Sequence, residues 1–167
     1  GVVSSIRICK LLDTKEMIVN NDKFKIENNI SGKLEFKNLW FAYNEKNYVL
    51  KNINFKINPG NVLAIVGSTG SGKTSIINLI NRFYEFNKGE IYLDENKLRD
   101  YNLDQLRKVI GYVPQDVFLF SDTVRNNLTL GDKMISDKKI WEVIRYLKAE
   151  KFIEKLPGKL NYNVMER

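Results

Sequence analysis

The residues best suited to chemistry are Gly67-Ser68-Thr69-Gly70-Ser71-Gly72-Lys73-Thr74. They fit the spacing G-x-x-x-x-G-K-[ST], the P-loop pattern that cradles phosphate groups. Each residue type has a task. Gly67, Gly70 and Gly72 let the backbone bend until successive N–H groups face inward. A helix opening straight after the loop adds partial positive charge at its N-terminus. Lys73 supplies a full charge for the β- and γ-phosphates. The Thr74 hydroxyl is a ligand for Mg²⁺, which takes oxygen donors in octahedral array. Ser75 follows directly and joins the eight as a candidate nucleotide ligand.

Such a loop works only between a strand and a helix. Val62 to Val66 form a continuous apolar run, the pattern of a strand buried on both faces of a parallel sheet. After the loop, Ile76, Ile77, Leu79, Ile80 and Phe83 recur at helical spacing over 73–83. Upstream, residues 33–43 and 48–57 alternate apolar and polar positions, which predicts two half-buried strands joined by the turn 44–47 and closed by Asn58-Pro59-Gly60. Downstream, 90–94 reads as a short strand. Asn102 with Gln105 three residues on reads as a capping box, and 109–113 reads as another strand. Ser136 is a candidate N-cap for a helix with Ile140, Val143, Ile144 and Leu147 on one face. Residues 1–13 have helical spacing, and the polar stretch 14–32 reads as a linker. The expected fold class is α/β: an antiparallel hairpin, then a phosphate-binding α/β unit, then a helical piece.

Composition narrows the classes further. The chain has 167 residues, with 43% apolar and 28% charged, which predicts a globular domain with a real core. It has no histidine and one cysteine, Cys9. That excludes imidazole acid/base chemistry, a disulfide framework and a zinc site within the chain. No stretch approaches the roughly 18 apolar residues of a membrane span. The net charge is +7, yet the lysines and arginines are dispersed, with no run of five or more. Dispersed charge reads first as a solvated surface, although a soluble P-loop ATPase acting on nucleic acid is the alternative that this charge allows. The chain begins with Gly, so it is expected to be a piece of something longer.

With the loop placed, the stretch FAYNEKNYVLKNINFKINPG…GSTGSGKTSIINLINRFYEFNKGEIYLDENKLRD…VIGYVPQDVFLFSDTVRNNL resembles the front half of the nucleotide-binding domain of ATP-binding cassette (ABC) exporters. The resemblance covers 33–167, with about 121–167 opening the helical subdomain. It implies an incomplete P-loop NTPase core with an antiparallel β-subdomain. The segment SSIRICKLLDTKE is similar to the stretch leading from an exporter's membrane domain.

The resemblance assigns roles residue by residue. It makes Tyr43 the aromatic that stacks on adenine, and base stacking on an aromatic is worth about 1–3 kcal/mol. It makes Gln115, in VPQD, the glutamine that reaches Mg²⁺ and the attacking water, so Lys73 and Gln115 are the catalytic candidates, and Thr74 and Gln115 the metal ligands. Glu166, in YNVMER, falls where the family faces its membrane domain, with Met165 replacing the usual Gly. Further expectations are ATP and Mg²⁺ as cofactors, a second nucleotide-binding domain joined head to tail, a membrane domain of the same polypeptide, no nucleic acid, and a place on the cytoplasmic face of the membrane.

Ile91-Tyr92-Leu93-Asp94-Glu95 imitates the family's Walker B strand, in which the Asp holds Mg²⁺ and the Glu is the general base. Its position before Gln115 and its short apolar run argue for a strand entering an ordinary turn instead. The family's Walker B, signature and switch histidine do not occur in this sequence. The resemblance therefore implies ATP binding without appreciable turnover by this chain alone. It also implies exposed strand edges at 62–66 and 109–113 that favour self-association.

Overall fold

The computed structural model describes residues 18, 20, 23–24, 26, 30–44, 47–116 and 118–165. The expected helix end at 1–13 and Glu166 lie outside them, as does much of 14–32. Two compact units divide the chain, 1–112 and 113–167.

In the first unit, the alternating segments pair as expected. Strand β1 (Leu34–Phe41), β2 (Leu50–Ile57), β3 (Lys88–Leu93) and the two-residue β4 (Asn96–Lys97) form one antiparallel sheet in the order β2-β1-β3-β4. Opposite Phe36 stand Phe55 on one side and Ile91 on the other. Strict alternation along β1 would turn Leu39 and Phe41 away from Phe36. The register shifts between Phe36 and Leu39, where Asn38 takes φ 47, and this restores them to the buried face. Gly89 is required beside that bulge, because a Cβ there would lie 2.3 Å from the Asn38 carbonyl oxygen.

Helix α1 (Lys73–Ile80) contributes Ile76 and Leu79 to the core formed with Leu34, Phe36, Leu39, Phe41, Leu50 and Ile91. Burial of each such side chain is worth about 1.5–3 kcal/mol. A short 3₁₀ turn (Leu98–Asp100) and helix α2 (Leu103–Val109) add Leu98, Tyr101 and Leu106. Helix α2 starts at Asn102, whose side chain accepts the Gln105 N–H at 3.1 Å, the N-cap half of the expected capping box, while Asn102 N–H donates to the Phe24 carbonyl.

Described residues ahead of β1 are bonded to this unit. Phe24 donates to the Asp100 carbonyl at 3.1 Å and accepts from Asn102 N–H at 3.1 Å. Asn20 Oδ1 accepts from Leu103 N–H at 2.8 Å, and Gln105 Oε1 accepts from Ile26 N–H at 2.7 Å.

Two expected strands are absent. Residues 61–68 form no strand, and Val62 and Val66 are 95% and 90% exposed. At 109–113, Val109 ends α2 and Val113 is exposed. An apolar run becomes a buried strand only when other strands flank it and layers cover it. Among the described residues, no strand lies beside either run.

The second unit has its own core of Val124, Ile140, Ile144, Ile153 and Leu160. It comprises α3 (Val124–Thr129), α4 (Asp137–Tyr146), α5 (Glu150–Glu154) and a 3₁₀ turn (Lys159–Asn161). Thr123 caps α3 by accepting from Asn126 N–H, and Ser136 caps α4 by accepting from Lys139 N–H. Of the predicted α4 face, Ile140 and Ile144 are buried, while Val143 and Leu147 stay exposed.

Candidate functional site

Helix α1 begins unlike α2, α3 and α4. Its N-cap is Gly72, at φ 91, with no side-chain cap. The first N–H groups of a helix have no partner within it, and here no side chain takes one up. The start of α1 is thus an open donor surface for an anion. Gly72 is also sterically committed, since a Cβ would lie 2.7 Å from Leu50 Cδ2 and 3.3 Å from Val49 Cγ1. The start of β2 therefore sets how closely the loop rests on the sheet.

The Lys73 ammonium folds back over the loop. It donates to the carbonyls of Gly67 at 2.8 Å and Ser68 at 2.7 Å. The loop tightens on itself through Ser71 N–H, which donates to the Ser68 carbonyl at 3.2 Å. Gly67 to Ser71 are exposed, Gly72 and Lys73 half-buried, and Thr74 exposed. Full positive charge, open N–H groups and a glycine-only close approach are what a phosphate cradle requires.

Tyr43 and Ser75 meet, although they are far apart in sequence. The Tyr43 hydroxyl and Ser75 Oγ lie 2.9 Å apart, and Ser75 is buried within α1. Tyr43 is 50% exposed, so part of its ring is open to a ligand. The hydroxyl contact joins the candidate base platform to the helix that starts at the phosphate loop. Gln115 lies in an exposed bend of the second unit. No sequence pattern pointed to Tyr84, whose ring stands against Tyr43 at 4.9 Å.

The acidic pair at 94–95 is taken up by the fold. Burial raises the Asp94 pKa, but hydrogen bonds from the Ser31 hydroxyl and the N–H groups of Ser31, Lys33 and Gly32 outweigh it. The carboxyl therefore stays below its ordinary range. The four bonds run 2.6–3.0 Å. Glu95 pairs with Lys33 at 2.8 Å.

The sheet, the loop and the helix behind it define a P-loop nucleotide-binding domain, and comparison with known proteins specifies which kind. A sequence model of the family described as ABC transporter matches residues 50–164, and the chain belongs to that family. It is 42% identical over 157 residues to the ATP-dependent lipid A-core flippase of Syntrophus aciditrophicus, covering 94% of this chain and 26% of that protein. It is 37% identical over 165 residues to a probable multidrug resistance ABC transporter ATP-binding/permease protein of Bacillus subtilis, covering 99% and 24%. A solved structure of a bacterial Atm1-family ABC exporter with ATP bound superposes with a TM-score of 0.89 at 28% identity, covering 100% of this chain and 29% of that one.

The chain therefore spans about a quarter of the length of the curated relatives it matches. Its sequence is that of the ATP-binding domain of ABC exporters, and its fold is part of the P-loop NTPase α/β fold with the antiparallel β-subdomain. Among the described residues, no helix is long and apolar enough to cross a membrane.

Proposed function

We propose that this chain binds Mg·ATP through residues 67–75 and Tyr43, and that in the longer protein binding and hydrolysis of ATP drive transmembrane export. The observation that carries the reading is the open start of α1: Gly72 at φ 91, no side-chain cap, and the Lys73 ammonium held over the loop. The loop N–H groups and Lys73 bind and orient the phosphates. Tyr43 receives the adenine, and Ser75 holds the Tyr43 hydroxyl. Among the described residues, no group of three or more His, Cys, Asp or Glu side chains is placed to hold a metal. The Thr74 hydroxyl, exposed in the first turn of α1, would hold Mg²⁺ together with phosphate oxygens. The ion would supply charge neutralisation to the phosphates.

The chain alone binds without appreciable turnover. Phosphoryl transfer to water needs a group that orients or deprotonates the water. The sequence has no histidine, and Asp94 and Glu95 are engaged elsewhere. In the longer protein, a second nucleotide-binding domain joined head to tail closes over the bound ATP and contributes its signature segment. A membrane domain of the same polypeptide carries the substrate path, which places this domain at the cytoplasmic face of the membrane.

Calorimetric titration of Mg·ATP into the chain tests the reading. Binding is expected, and Lys73→Ala is expected to weaken it by about 1.5–3 kcal/mol, the worth of charged hydrogen bonds, or roughly tenfold and more. No uptake by the folded chain, or uptake indifferent to Lys73→Ala, overturns it.

A further inference from the structure

We propose that Tyr84 is a positioning residue for the nucleotide base: it holds the Tyr43 ring at a fixed angle, leaving the open part of that ring ready to receive a purine. The inference rests on the reading above that Tyr43 stacks on adenine. Its own support is the geometry around Tyr43.

Two rings meet Tyr43 nearly at right angles. Phe41 stands 4.7 Å away at 75°, and Tyr84 stands 4.9 Å away at 89°. Edge-to-face pairs of this kind are favourable, because the positive rim of one ring meets the negative face of the other. The hydroxyl contact with Ser75 adds a third fixed point at the far end of the ring. Phe41 is buried in the core, but Tyr84 is 45% exposed. Tyr84 therefore completes the support from the solvent side, where Tyr43 would otherwise swing.

The support is itself rigid. Tyr84 follows α1 in a turn built on Arg82, which takes φ 49 and is 3% exposed. Arg82 Nη2 donates to Glu85 at 3.0 Å, and Nη1 donates to the Tyr101 carbonyl at 3.3 Å. Arg107 Nη2 donates to the Arg82 carbonyl at 3.0 Å, and Phe83 N–H donates to the Asn78 carbonyl at 2.9 Å. A buried guanidinium thus fixes the backbone next to Tyr84. A platform fixed before the ligand arrives loses less conformational freedom on binding.

The test compares Mg·ATP with base-free Mg·tripolyphosphate, both titrated calorimetrically into the 167-residue chain. Tyr84→Leu is expected to weaken Mg·ATP binding about two- to tenfold, the range of one aromatic pair, and to leave tripolyphosphate binding unchanged. Tyr84→Phe keeps the ring edge and is expected to retain ATP affinity. In a Tyr43→Leu background, Tyr84→Leu is expected to cost nothing further, since its effect passes through Tyr43. Unchanged ATP affinity in Tyr84→Leu, an equal loss for both ligands, or an equal loss in the Tyr43→Leu background overturns the assignment. The tripolyphosphate arm separates the two readings. A wild-type chain that takes up neither ligand refutes the phosphate site, whereas one that takes up both equally refutes a role for either tyrosine.

Discussion

Residues 67–75 and 91–95 both hold the residue types that phosphate chemistry uses, and they differ in what those groups already touch. In the loop, Lys73 bonds, among the described residues, to atoms within six residues of itself, the Gly67 and Ser68 carbonyls and Ser71 Oγ. A phosphate can replace such contacts without disturbing the sheet. In the turn, Asp94 bonds to groups 61–63 residues away, and those bonds fix the entry to β1. A carboxylate engaged in that way is not available to a metal. Residue type shows what a group is able to do, and its existing partners show whether it is free to do it.

The sharpest way to break this contrast is at Gly72. Gly72→Ala puts a Cβ at φ 91 and within 2.7 Å of Leu50 Cδ2. Left-handed backbone and overpacking together should cost about 2–4 kcal/mol in urea unfolding. ATP binding should fall with it, because the loop cannot keep its place on β2. Unchanged stability would show that the loop does not rest on Leu50.

Asp94→Ala comes next. Its donors include exposed backbone that regains water, so the expected loss is about 1–2 kcal/mol, with ATP affinity in the folded protein retained. The Asp94 contribution should also depend on pH. Its pKa is lowered in the folded state, so the contribution is complete above the unfolded-state pKa near 4 and disappears as pH falls through the folded value. Urea unfolding from about pH 6 to pH 3 should show this slope. In Asp94→Asn the part of the slope that Asp94 causes should be missing. Loss of ATP binding by a folded Asp94→Asn protein would return the turn to the active site.

The smallest effect is expected at Glu95. It is exposed and pairs with Lys33 across the surface. Glu95→Gln should leave ATP affinity unchanged and should not trap bound nucleotide. Trapping would make 91–95 the catalytic strand after all.

Much of this was legible from local signals. Alternation located β1 and β2, a short strand was expected at 90–94 where β3 runs, capping chemistry placed the starts of α2 and α4, and one motif located the loop. The run Val62–Val66 shows where local reading stops. Its apolar character reports a demand for neighbours, whereas a strand also needs those neighbours to be there. Tyr84 carried no signal because a ring in a turn belongs to no period, and its partner Tyr43 is 41 residues away. The Asp94 contacts were hidden for the same reason, since nothing near Asp94 in sequence announces Ser31. Arg82 looked like one more surface cation among 27 lysines and arginines, yet it is buried beneath the turn that carries Tyr84.

The bonds made by Asn20, Phe24, Ile26 and Ser31 have a mechanical consequence. Tension applied to the chain ahead of β1 would be divided among attachments to Leu103, Asp100, Asn102, Gln105 and Asp94. Those attachments stand between the pull and β1, so they would have to give way before the first strand was loaded.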